Sequence, residues 1–341
     1  MNTQADRLRE RMRAVRAVGV DGAHGAHGAD GAHGAHGVSA AAPAAASAPA
    51  AAARMARTVA VGSGKGGVGK STVALAVAWA AAERGVKTAL VDADLGLANL
   101  DILCGVQPVR TAADWLAGRA QLAACFTQLA PRLWLLPGAS GVARMADLEL
   151  PQRHRLVEGL ARVASHVELM VVDLGAGLGA GTLDVAVAAD RLLVVATPEP
   201  TALADAYGML KACARRGRTD RIALAVNMAD SADAAARAAQ RLSSTASRFL
   251  GVQVPCAGWM PRDAAVPAAV AARRPLLMHA PQAPAAVALR RLEGHLHVPA
   301  QAVSAHPEPA GFLGRLASAL GLSGAPKGGV PSTGWRPASA R

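Results

Sequence analysis

Glycines at 64, 66, 67 and 69, a lysine at 70 and hydroxyls at 71 and 72 follow a short apolar run, TVAVG at 58–62. The stretch Gly64-Lys65-Gly66-Gly67-Val68-Gly69-Lys70-Ser71 fits the GxxxxGK[ST] spacing, and Thr72 follows it. Glycines let successive backbone N–H groups turn inward around a phosphate, and a following helix adds its positive N-terminal dipole. In such a loop Lys70 reaches the β- and γ-phosphates of a nucleoside triphosphate, and the Ser71 hydroxyl ligates Mg²⁺. Lys65 is a second lysine in the loop, which a plain phosphate loop does not require. Aspartates close two further apolar runs: Asp92 ends TALVD, with Asp94 two residues on, and Asp173 ends ELMVVD. A strand-end aspartate is often only a cap for the next helix. Three of them beside a phosphate loop suit phosphoryl transfer, which needs charge neutralisation and an oriented nucleophile.

The elements that must hold these residues follow from the apolar pattern. Short β-branched or leucine-rich runs occur at 58–62, 88–92, 133–136, 168–173, 191–196, 221–227 and near 252–257, mostly separated by longer alanine-rich helical stretches. Continuous apolar strands alternating with helices predict an α/β fold, a mostly parallel twisted sheet covered by helices on both faces. Ligands of such sheets sit at the carboxyl ends of the strands, where the loop and the aspartates fall. The chain has 341 residues and is 52% hydrophobic, enough for a sizeable core, though aromatics are only 3%. No segment reaches the roughly 18 uncharged apolar residues of a membrane span, and the N-terminus, which carries both charge signs, does not read as a secretory signal. Cys104, Cys125, Cys213 and Cys256 are scattered with no CxxC pair, which suits a reducing cytoplasm and argues against an iron–sulfur carrier. The net charge of +12 points toward a polyanion, but only five of the 36 basic residues are lysines, so the surplus reads as composition bias.

Lys65-Gly66-Gly67-Val68-Gly69-Lys70-Ser71 resembles the KGGxGK[ST] loop of the deviant Walker A family, which includes the MinD and ParA ATPases. The resemblance implies a P-loop NTPase fold, ATP and Mg²⁺ as ligands, and a nucleotide-sandwich homodimer in which Lys65 reaches the partner's phosphates. Within Val91-Asp92-Ala93-Asp94, which is similar to the family's DxD switch, Asp94 is implied to position the attacking water and Asp92 to lie nearer the metal. Asp173-Leu174-Gly175-Ala176-Gly177 looks like a Walker B aspartate, holding Mg²⁺ through water, and its switch. Asn227 is implied to bind adenine, and the loop with Pro261 and Asp263 to wall the base pocket; as residues alone, these fit turns equally well.

Three segments are similar to one branch of the family, the flagellar-number regulators (FlhG, also called FleN): Thr197-Pro198-Glu199-Pro200-Thr201 with Asp205-Ala206-Tyr207, Leu136-Pro137-Gly138-Ala139-Ser140-Gly141 with Ala146-Asp147-Leu148, and the N-terminal Gln4-Ala5-Asp6-Arg7-Leu8-Arg9. The last resembles the DQAxxLR activation helix, with Thr3 in place of its aspartate, and implies that Gln4, Ala5, Leu8 and Arg9 contact the signal-recognition-type GTPase FlhF. Flagellar switch-complex proteins or a flagellar transcriptional activator are implied as further partners. The organisation expected is a helix at 1–20, a linker at 21–56 containing the repeat DGAHGAHGADGAHGAHG, an ATPase domain at 57–298, a joint at 299–310, an amphipathic helix at 311–322 and a tail at 323–341. In 311–322, Phe312, Leu313, Leu316 and Leu320 share one face. At about 1.5–3 kcal/mol per large buried side chain, these four give weak membrane binding for one copy and far stronger binding for two. The alternative is a helix packed on its own domain, and both hold if it is tucked away in the monomer and released in the dimer. The expectation is a cytoplasmic protein, peripheral at the anionic inner face of the cell membrane when ATP-bound. Nucleic-acid partition and division-site regulation are the alternatives.

Overall fold

The computed structural model of the chain describes residues 55–94, 98–138, 147–296 and 311–322. In chain order the elements are β1 (Arg57–Gly62), α1 (Lys70–Glu83), β2 (Thr88–Asp92), α2 (Leu100–Cys104), α3 (Ala112–Leu116), a 3₁₀ turn (Leu122–Cys125), β3 (Thr127–Ala130) and β4 (Leu133–Leu136). Then come α4 (Leu150–Ala164), β5 (Leu169–Asp173), α5 (Ala180–Ala188), β6 (Arg191–Ala196), α6 (Pro200–Arg215), β7 (Ile222–Ala229), α7 (Ala232–Leu250), β8 (Cys256–Pro261), α8 (Ala265–Ala271), α9 (Leu276–His279), α10 (Pro284–Leu296) and α11 (Phe312–Ala319).

The strands form one sheet in the order β3-β4-β2-β5-β1-β6-β7-β8. All pairings are parallel except β3 with β4. Every residue of β2 and β5 is buried, as a sheet covered on both faces requires. One core layer packs α1, α9 and α10 against the sheet through Val73, Val77, Leu90, Leu193, Leu277 and Leu289; the other packs α4, α5, α6 and α7 through Leu160, Met170, Leu192, Leu210 and Leu242.

Two strands depart from the sequence expectation. β3 was not anticipated: its four residues are only half-buried and pair antiparallel at the sheet edge, so no continuous apolar run marks them. The last strand lies at Cys256–Pro261, four residues later than the Val-containing run near 252–257. Val252 and Val254 of that run are buried in the core without joining the sheet.

α11 is in the packed arrangement, on its own domain. The face of Phe312, Leu316 and Leu320 does not stand free but is buried at 5%, 0% and 4% exposure, and Leu313 packs half-buried against the same core. α11 lies on α4 and α5. Its Arg315 guanidinium donates to the Ala188 carbonyl (2.8 Å) and to the Asp190 carboxylate (2.6 Å). Arg153 of α4 donates to the Leu320 carbonyl (3.2 Å) and so holds the open C-terminal end of the helix. An apolar stripe flanked by these polar contacts is satisfied by the chain's own helices. Among the described residues no helix is long and apolar enough to cross a membrane.

Candidate functional site

The phosphate loop runs from the end of β1 into α1. The Ser63 hydroxyl donates to the Lys65 carbonyl (2.9 Å), curling the loop, and Gly67 and Gly69 take φ of +82° and +83°, where only glycine is unstrained. A Cβ on Gly64 would strike the Asp205 backbone of α6, and one on Gly69 would strike the Asn227 amide. The loop is therefore wedged between α6 and the end of β7. Gly66 is exposed and meets no neighbouring atom, so that lip of the loop is open. Gly69 caps α1 without a side-chain hydrogen bond. The first N–H groups of the helix are thus left for a ligand.

Beneath the loop, Lys70 Nζ lies 2.7 Å from Asp173 Oδ1 and 3.4 Å from the Ser71 hydroxyl, with the side chains of Lys70 and Asp173 8% and 1% exposed. Burial pushes the Asp173 carboxyl up, against the opposing charge of Lys70. Its second oxygen, Oδ2, is buried with no hydrogen-bond partner. Asp92 sits opposite Asp173 on the neighbouring strand. Its Oδ1 accepts from the Asp94 N–H (3.1 Å) and its Oδ2 from the Asn99 and Leu100 N–H groups (3.2 and 3.3 Å). Burial first, and then the charge of Asp173, raise Asp92 to about 7 despite these donors. Asp94 is carried to within 3.5 Å of where a Cβ on Gly175 would stand, and Gly177 N–H donates to the Ser63 carbonyl (3.3 Å). The loops after β1, β2 and β5 thereby converge on one point.

The orphaned Asp173 oxygen, the Ser71 hydroxyl and the nearby Asp92 carboxylate form a hard, all-oxygen donor set that fits Mg²⁺. Such a cation neutralises phosphate charge; Lys70, drawn onto Asp173 here, is the side chain that phosphates would draw upward.

Lys65 points elsewhere. Its Nζ is 3.2 Å from Thr201 Oγ1 and 3.6 Å from a Glu199 oxygen, at the exposed start of α6. Asn227 donates to the Val68 carbonyl (2.8 Å) and accepts from the Met228 N–H (2.9 Å), so its amide props the phosphate loop from below. Pro261 ends β8. The Asp263 oxygens are taken by the N–H groups of Ala265 (2.8 Å) and Ala285 (2.9 Å), joining α8 to α10. The structure thus gathers Lys70, Ser71, Asp92, Asp94 and Asp173, turns Lys65 to the start of α6, sets Asn227 under the loop, and engages Asp263 with helix starts. Gln4, Ala5, Leu8 and Arg9 lie outside the described residues. The sequence did not single out Glu199 and Thr201 as partners of Lys65, nor the Asp205 backbone as the floor of Gly64. Glu199 and Thr201 lay in a segment already noted, but no spacing pairs residues more than a hundred positions apart.

The CobQ/CobB/MinD/ParA nucleotide binding domain matches residues 59–276. The chain is 34% identical over 260 residues to the antiactivator FleN of Pseudomonas aeruginosa, covering 76% of this chain and 90% of that protein. It is 38% identical over 156 residues to the flagellum site-determining protein YlxH of Helicobacter pylori, covering 45% of this chain and 52% of that one. The septum site-determining protein MinD complexed with Mg-ADP from Pyrococcus horikoshii OT3 superposes with a TM-score of 0.60 at 25% identity, over 71% of this chain and 96% of that chain. An intact phosphate loop, a divalent-cation donor set and strand-end carboxylates, on this sheet order and with these relatives, make the protein an ATPase that acts on ATP with Mg²⁺. The chain belongs to the CobQ/CobB/MinD/ParA nucleotide-binding family.

Proposed function

We propose that this ATPase is a dimerising switch that regulates the number or placement of flagella. Its similarity to FleN, over most of both chains, and to YlxH supports the flagellar assignment. In this reading, two ATP-bound subunits meet through the faces that carry their phosphate loops. Lys65 leaves Thr201 and Glu199 and completes the partner's site, Lys70 leaves Asp173 for the phosphates, and Asp94 orients the water that cleaves the terminal bond. The single observation that carries the reading is the position of Lys65, which stands at the rim on the start of α6 while Lys70 alone serves the buried carboxylate.

α11 supplies the output. Phe312 borders the same cavity as Asp92, Ala93 and Trp115, so a change in the loop after β2 alters the seat of the helix. Release of α11 frees Phe312, Leu313, Leu316 and Leu320 for an anionic membrane, and residues 1–20 act on FlhF. The test is sedimentation with a non-hydrolysable ATP analogue. Wild type should run as a dimer and Lys65→Ala as a monomer that still binds nucleotide. A wild type that stays monomeric under saturating analogue would refute the switch. Deleting residues 1–20 should abolish stimulation of FlhF GTPase activity and leave the protein's own ATPase unchanged.

A further inference from the structure

Because β4, β2, β5, β1, β6 and β7 are mutually parallel, their first residues line one edge of the sheet, opposite the phosphate loop. Across that edge the residues at or just before the strand starts are Arg132, Lys87, Glu168, Arg57, Arg191 and Arg221. Backbone bonds join the neighbours on either side of the β1–β6 step: Thr88 N–H to the Arg132 carbonyl (2.8 Å), Glu168 N–H to that of Lys87 (2.8 Å), Arg57 N–H to that of Glu168 (3.0 Å) and Leu192 N–H to that of Arg221 (3.0 Å). At about 4.8 Å per strand, five cations fall within roughly 25 Å.

Three carboxylates face them. Glu168 accepts from the Lys87 N–H (2.9 Å), Asp190 from the Thr58 N–H (2.8 Å) and from Arg315, and Asp220 pairs with Arg221 at 3.3 Å. Burial and then the charge of Arg57 hold Arg191 below its ordinary range. Several helices also end at this edge, where cations offset the negative end of a helix dipole. Those helices bring their own in the last turn, Arg162 in α4, Arg215 in α6 and Arg248 in α7, so the strand-start row is surplus to that need.

The chain enters and leaves the connector to α11 at this edge. α10 ends at Leu296, with the preceding His295 carbonyl held by Arg191 (3.3 Å), and Arg315 of α11 binds Asp190 at the start of the same strand. The connector, 297–310, is 14 residues long and spans at most about 48 Å, so a released α11 stays tethered here. Binding of an interfacial helix grows with the apolar area it buries and with attraction to anionic lipid, so a basic surface beside the tether strengthens it.

We propose that this basic edge of the sheet is the face that meets an anionic lipid bilayer when α11 inserts, a reading that rests on the membrane role given to α11 above. The test uses full-length protein with a non-hydrolysable ATP analogue and vesicles of phosphatidylcholine with or without phosphatidylglycerol. Lys87 and Arg132 are exposed and outside the ATPase site. Lys87→Gln with Arg132→Gln should weaken binding to anionic vesicles about twenty-five-fold, near fivefold per charge, with a shallower salt dependence and unchanged lipid-free ATP turnover. Equal binding by wild type and the double variant sinks this proposal alone. If the variant instead loses affinity for random duplex DNA while vesicle binding holds, the edge serves nucleic acid and the lipid assignment falls. A wild type that binds no vesicles overturns both this proposal and the release of α11.

Discussion

At Asp92 three backbone N–H groups, burial and a neighbouring carboxylate compete for one proton. The outcome, a carboxyl raised to about 7, has a definite sign. The folded chain binds this proton more tightly than the unfolded chain, so the stabilisation is complete below about 4 and is lost as pH rises through about 7. The melting temperature of nucleotide-free wild type, measured relative to Asp92→Asn, should therefore fall between pH 5 and 7.5. A difference that stays flat across that range would show that Asp92 is already ionised. Asp94→Ala should cut ATP turnover on the order of a hundredfold or more while nucleotide affinity is retained, read as phosphate release beside fluorescent-nucleotide binding. Gly64→Ala tests the loop's floor: with the Asp205 backbone in the way, ATP binding should be lost or the protein destabilised.

Among the elements, α11 carries the most consequence, since Phe312 and Leu316, with Leu320 just past its end, are core residues of the domain. Phe312→Ala should cost about 3–5 kcal/mol of local packing, more than a helix of eight residues can absorb. Hydrogen exchange should show residues 312–319 losing protection while β1 and β5 keep theirs, and binding to anionic vesicles should no longer depend on ATP. Uniform loss of protection throughout the sheet would instead make α11 an ordinary part of the core. Asn227 grips the Val68 carbonyl through its amide, so Asn227→Ala should weaken nucleotide binding, read by titration with a fluorescent nucleotide.

For the whole molecule, the parallel sheet separates two chemistries. The loops after β1, β2 and β5 converge on phosphate and cation at one edge, and the strand starts collect arginine and lysine at the other. α11 touches both: Phe312 borders the same cavity as Asp92, and Arg315 is bound beside the start of β6. The dimerisation proposed at the first edge and the lipid contact proposed at the second are compatible, because neither face covers the other.

The phosphate loop, the strand-end aspartates and six of the eight strands were legible along the chain, because glycine spacing, strand-end position and continuous apolar runs are local properties that survive without a partner. The amphipathic stripe of 311–322 was legible too. Its orientation was not: an apolar face fits a bilayer or a pair of helices equally well, and only the grooves of α4 and α5, with Arg153 and Asp190 placed at their rims, choose between them. In the same way the hold of Thr201 and Glu199 on Lys65, the unpartnered oxygen of Asp173 and the alignment of cations on one edge arise only when distant segments are brought side by side. Periodicity specifies what each segment can bury. Packing alone decides against what.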